Sequence, residues 1–277
     1  MKATKHFLLI TFLLANFMAY SESNNRDVPY TEELYYFIDC FYNNEIPTLE
    51  KAQYLRSACI EKIPESFDEY QKYVHLARTD FYFGMAVMEE VDFDSIQNIK
   101  SPTDTSSSQK NLSESKKQKK AKAASYFDKA ISYADKALKI RAGSDAYIIK
   151  AMAISSNCTV KDTGYVIMNG LDVGNFSKKA VSADPANATA HYYQYAQDLY
   201  APSFFANYKR GLKKMHEFQS DINLNKEKFD SFFILTGLGY GYYMLKDNSN
   251  AVKWYKRALL IYPGNKFAIE MVNKLSQ

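Results

Sequence analysis

The residues of this chain best equipped for chemistry are a glycine-rich run, a few histidines and cysteines, and a cluster of lysines. The run GLGYGYY, residues 237–243, has the glycine content of a phosphate-binding loop. Such a loop needs a strand before it and a helix N-terminus aimed at the phosphate. Gly237, Gly239 and Gly241 instead lie inside a stretch of helical period, so close packing explains them better. The histidines, His6, His75, His191 and His216, form no i, i+4 pair and have no Cys or carboxylate at metal-ligand spacing. No metal and no other cofactor is expected. No two carboxylates stand isolated in apolar surroundings, as acid–base work would require, and the chain reads as a non-enzyme. Lysines 110, 116, 117, 119, 120 and 122 form a basic run. One reading is an electrostatic tether to lipid headgroups or an acidic partner; the simpler one, expected here, is a solvated approach to a helix.

The elements that must carry these residues follow from composition. Of 277 residues, 47% are hydrophobic and 24% charged, with 10 Gly and 7 Pro, too few turn formers for a many-stranded sandwich. The aromatic load is high, at 23 Tyr and 18 Phe. At the N-terminus, Lys2 and Lys5 precede an apolar stretch, Phe7 to Ala19, and Ala19-Tyr20-Ser21 offers a cleavage site. That stretch is shorter than the ~20 residues of a spanning helix. Residues 1–21 are therefore expected to be a signal peptide and residues 22–277 an exported domain with no membrane span. Without the leader the chain is nearly neutral, which gives no global pull on nucleic acid or anionic lipid.

With Phe232 as position 1 of a 34-residue unit, Leu235 is at 4, Leu238 at 7, Gly239 at 8 and Tyr242 at 11; Ala251, Tyr255, Ala258 and Pro263 follow at 20, 24, 27 and 32. Small residues at 8 and 20 let two antiparallel helices approach, and the one at 27 admits the next helix. Proline at 32 ends the second helix. Upstream, Ala180 and Pro185 occupy 27 and 32 of another unit, and Ala130 and Ala137 occupy 20 and 27 of a third, with Gly84 at position 8. Its first helix is read from Ala77. Cys40, Ala52, Cys59 and Pro64 mark a weaker N-terminal copy. Cys40 and Cys59 would then be ~10 Å out of register along the helix pair, too far for a disulfide. Two excesses break the ruler. The segment at about 96–121, rich in Ser, Lys and Gln, is expected to be a disordered insertion, and ten extra residues around NCTVKDTGYV put Cys158 in a loop.

This pattern resembles the tetratricopeptide repeat. The resemblance implies an all-α fold, an irregular solenoid of about five antiparallel helix pairs with a C-terminal capping helix from Lys266. Residues 77–142, with FYFGMA, a ragged insertion and AASYFDKAISYADKALKIRAG, are similar to the T-component of TRAP transporter systems, periplasmic helical-repeat proteins that associate with a solute-binding partner. The lipid-attachment Cys of that group is missing. Residues 161–215, from KDTGYV to FFANYKRGLKKM, resemble uncharacterised exported repeat proteins of spirochaetes. The location so implied is a bacterial periplasm. Such repeats bind through the inner positions of each first helix. Here these are Arg78, Phe81 and Met85, then Tyr192 and Tyr200, then Phe233, Tyr240 and Tyr243. The Lys and Asn that would clamp a peptide carboxylate are missing from the key positions. An aromatic concave face remains. The leading expectation is a scaffold that binds another protein there. The alternative is a transporter accessory holding a small hydrophobic or amphipathic ligand, and a third possibility is a groove filled by the chain's own C-terminal helix.

Overall fold

The computed structural model describes residues 27–88, 114–201 and 206–277. The expected signal peptide and residues 96–113 of the expected insertion lie outside them. Among the described residues there are eleven helices and no strand. Most begin where a polar side chain can take a free backbone N–H. Thr31 accepts from Leu34 ahead of α1 (Glu32–Tyr42), and Thr48 from Lys51 ahead of α2 (Leu49–Glu61). Asp68 and Gln71 bond each other's backbone at the start of α3 (Glu69–Met88). The helices α4 (Glu114–Ile140) and α5 (Ser144–Val160) follow. Asp162, Asn187 and Asn207 then cap α6 (Thr163–Ala183), α7 (Ala188–Tyr200) and α8 (Tyr208–Ser220). A reciprocal box between Glu227 and Asp230 opens α9 (Lys228–Met244). Asp247 and Asn265 cap α10 (Asn248–Ala258) and α11 (Lys266–Leu275).

Each odd-numbered helix from α1 to α9 packs against the even-numbered helix after it, giving five pairs, and α11 covers the last pair. The odd helices also contact one another in order, α1 to α3, α5, α7 and α9. Helix–helix packing of this kind is that of a helical solenoid. The row then returns on itself, because α9 touches α1.

The small residues sit where the pairs cross. A Cβ added at Gly84 would lie 2.7 Å from the Phe127 ring of α4, and one at Gly239 would lie 2.9 Å from the Tyr255 ring of α10. Ala130, Ala137, Ala180, Ala251 and Ala258 are all fully buried. Pro185 and Pro263 fall just beyond the ends of α6 and α10.

Three expectations are corrected. Helix α3 begins at Glu69, not Ala77, because Tyr70 and Val74 bury against Val28, Ala137 and Ala146 and so hold an extra two turns. Residues 114–121, expected to be disordered, are the first turns of α4; their Lys, Gln and Ala are good helix formers once the helix behind them is anchored. Cys158 lies in the last turn of α5, not in a loop. The ten extra residues lengthen α5 and α6, which are joined only by Lys161 and Asp162. Cys40, Cys59 and Cys158 are free thiols.

Candidate binding surface on the inner aromatic row

The structure separates the eight candidate residues into groups with different surroundings. Arg78, placed mid-helix by the early start of α3, is buried at 2% exposure. Its Nη2 lies 2.7 Å from Asp145 Oδ1, its Nη1 donates to the Val28 carbonyl at 2.8 Å, and its guanidinium stacks 4.0 Å from the Tyr30 ring centre. Asp145, 1% exposed, also accepts from Val28 N and from Asn187 Nδ2. This network straps residues 27–30 across α3, α5 and α7. Phe81 is buried beside Tyr82 and Phe127. Met85, half-buried, takes a hydrogen bond from Ser156 Oγ through its sulfur.

Tyr192 and Phe233 meet in the middle of the row, with ring centres 5.2 Å apart. Tyr42, at the end of α1, packs edge-on to Phe233 at 5.3 Å and Tyr82 at 6.2 Å, and lies 5.5 Å from both Phe232 and Tyr262. This is the closure of the solenoid seen at side-chain level. It is fastened outside the aromatic centre by polar bonds. Lys228 Nζ lies 2.8 Å from Asp39, which also accepts from Tyr262 Oη at 2.7 Å. Asn265 Nδ2 donates to the Tyr42 carbonyl, Gly264 N donates to Asn43, and Tyr35 Oη donates to Glu227. A polar cleft of about 270 Å³ runs along this seam between Tyr36, Asn43, Glu45 and Lys228. That volume is below the usual range for drug-sized ligands.

Toward the C-terminal ends of α7 and α9 the row opens. Tyr200 stacks on Tyr240, with centres 4.7 Å apart and planes 24° apart, and Tyr200 is 45% exposed. Burial raises the pKa of Tyr192 well above the ordinary phenol range, with a further push from Tyr200. Burial takes Tyr200 up to about 12. These phenols are neutral hydrogen-bonding groups, not bases, at any physiological pH. Tyr243 is half-buried, with Lys274 of α11 over its ring at 5.8 Å. Helix α11 therefore covers the outer end of α9 and leaves the Tyr192–Phe233 centre to α1.

Among the described residues, no group of three His, Cys, Asp or Glu is placed to hold a metal ion. His75 is buried with Nε2 2.9 Å from the Cys59 carbonyl. His191 spans Tyr195 and the Pro185 carbonyl, and His216 meets Tyr242. All three serve packing. The reading by repeat position missed Tyr42 and Tyr82, because neither occupies an inner position of its unit. Their one sequence signal was the tyrosine content. Among the described residues no helix is long and apolar enough to cross a membrane. The chain matches no protein-family model, and no curated protein is detectably similar to it.

Proposed function

We propose that the protein is an exported, non-catalytic, tetratricopeptide-like binding protein, and that it holds a small amphipathic molecule at the Tyr200–Tyr240 rim. The observation that carries this reading is the closure of α9 onto α1. It packs Tyr42, Tyr192 and Phe233 together in the middle of the inner row and leaves Tyr200, stacked on Tyr240, 45% exposed. A partner helix lying along the concave face needs an open apolar groove. A stacked pair of rings open to solvent suits a flat ligand instead. The likeness to transporter T-components favours the same mode, whereas a scaffold that engages another protein would have to use the outer surface. Export rests on the basic and apolar residues of the leader.

Native mass spectrometry of the chain purified from its own cells tests this. The expected result is a small-molecule adduct that is lost in the Tyr200→Ala/Tyr240→Ala variant. A co-purifying protein retained by the wild type and lost in that variant would replace the small ligand with a protein partner.

A further inference from the structure

The least explained surface of the molecule is the first half of α6. Ile167, Met168 and Leu171 are 76%, 81% and 81% exposed, and Val166 beside them is also exposed. Leu171 is an i+4 neighbour of Ile167 and an i+3 neighbour of Met168, so the three side chains form one patch on the helix surface. This patch exists because the ten extra residues extend α6 past its packing partners. Val173, Gly174, Ser177 and Ala180, further along, are the residues that bury. Isolated exposed apolar side chains are ordinary, but a cluster of large ones marks a contact surface.

The charge around it is equally uneven. Helices α4 and α6 together carry ten lysines against Glu114, Asp128, Asp135 and Asp172, although the whole chain has a formal charge of only +4. The rest of the protein is therefore net acidic. The two helices flank α5, and Asp128 of α4 is tied to Lys161 at 2.6 Å and to Asn157 at 2.9 Å. Asn157 also reaches the Tyr165 hydroxyl, which sets the first turn of α6 beside the middle of α4. Lys116, Lys117 and Lys122, all exposed, lie on the turns of α4 ahead of Asp128; α4 and α6 run the same way, as the Lys150–Asp135 and Tyr147–Phe176 pairs show, so the patch lies beyond that tie, ~14–27 Å from these lysines at the helical rise.

We infer that the N-terminal halves of α4 and α6 together dock on an anionic lipid bilayer surface. Ile167, Met168 and Leu171 enter the headgroup–acyl boundary and the α4 lysines face the lipid phosphates. Two independent features fix the kind of partner. A positive field asks for an anionic surface. Flexible aliphatic and thioether side chains ask for a medium that can dissolve them, which a bilayer boundary supplies. The exposed cluster itself is aliphatic and thioether rather than aromatic, unlike the stacking platform of a single-strand binder.

The test is a fluorescence titration of the full chain carrying Met168→Trp, with the unsubstituted chain, and its single Trp254, as background. This probe reads position 168 itself, whatever other segment touches lipid. With vesicles of phosphatidylcholine and phosphatidylglycerol in equal parts at low salt, the added tryptophan is expected to shift to the blue and to be quenched by brominated acyl chains. Pure phosphatidylcholine should have little effect. Lys116→Glu/Lys117→Glu/Lys122→Glu should lower the partition coefficient at least about tenfold, and 0.5 M salt should act in the same direction. These positions are exposed, so the variants should fold; a circular dichroism melt checks this, and the salt series stands in for any variant that does not. No response to anionic vesicles overturns the proposal, as does an equal response to neutral ones. A blue shift that rises with protein concentration in the absence of lipid would assign the patch to a second copy of the chain, or to another protein surface, and would also overturn it.

Discussion

Gly237→Ala and Gly239→Ala add the same methyl group two residues apart in α9 and should move stability in opposite directions. In a helix interior the change from Gly to Ala gains about 0.8–1 kcal/mol, because alanine has less backbone freedom to lose. At position 237 the new Cβ meets Tyr192 at 3.6 Å and Leu199 and Met215 at 3.7 Å, ordinary contact distances. The gain should survive there, up to about 1 kcal/mol. At position 239 the Cβ falls 2.9 Å from two atoms of the Tyr255 ring and 3.0 Å from a third. That ring is fully buried and stands edge-on to Phe267 of α11 at 5.6 Å, so it cannot swing aside without disturbing the cap. Overpacking of this kind costs about 1–3 kcal/mol, which turns the net effect at 239 into a loss of about 0–2 kcal/mol. For a domain of this size each kcal/mol moves the midpoint by about 2–4 °C, so the two variants should melt at least about 2 °C and as much as about 10 °C apart. Differential scanning calorimetry, with urea denaturation as a second measure, decides it. Equal shifts, or a Gly239→Ala variant more stable than Gly237→Ala, would refute the crossing geometry and the repeat register built on it.

The remaining expectations concern charge, pH and the rim. Asp145→Asn leaves the Arg78 guanidinium buried without its counter-charge and should cost about 3–5 kcal/mol, while Arg78→Met/Asp145→Leu should recover most of that loss in a double-mutant cycle. A cost under about 1 kcal/mol for Asp145→Asn would mean the strap is not held by this pair. Burial lowers the pKa of both His75 and His216 below the ordinary histidine value, with Arg78 adding to the effect at His75. The fold binds fewer protons there than the unfolded chain. This contribution is complete above about pH 6.5 and is lost as pH falls toward the lowered folded values. Thermal melts should therefore rise between pH 5 and 7, with a shallower slope in a His75→Gln variant; an unchanged slope would place the pH dependence elsewhere. Tyr200→Ala should lower stability by less than about 1.5 kcal/mol, since nearly half of its surface is already open, whereas Phe233→Ala should cost about 3–5 kcal/mol. Comparable losses from the two would argue against an open rim.

Much of the architecture was legible in the residues alone. The small residues Gly84, Ala130, Ala180, Gly239, Ala251 and Ala258 mark crossings, Pro185 and Pro263 mark ends, and α11 begins at Lys266 as the pattern required. These features are set by neighbours close in the chain: one turn of helix, one cap, or the partner across a short hairpin. Lengths were less legible. The extra turns of α3, α4 and α6 lie in stretches where the repeat pattern lapses, and only packing or intrinsic helix propensity sustains them.

What the tertiary structure alone decided is the fate of the concave face. Each pair adds a small rotation to the solenoid, and whether five of them bring α9 back to α1 depends on the sum of those rotations, which no local pattern encodes. The bonds that hold the seam join residues 189 to 223 positions apart, as in Lys228–Asp39 and Asn265–Tyr42. That closure turned Tyr192 and Phe233 into core, and the strap over α3 did the same to Arg78, while Tyr200 and Tyr240 stayed at an open rim. The chain's residue types determined an aromatic inner row; only the closing of the row determined which of its aromatics stay exposed.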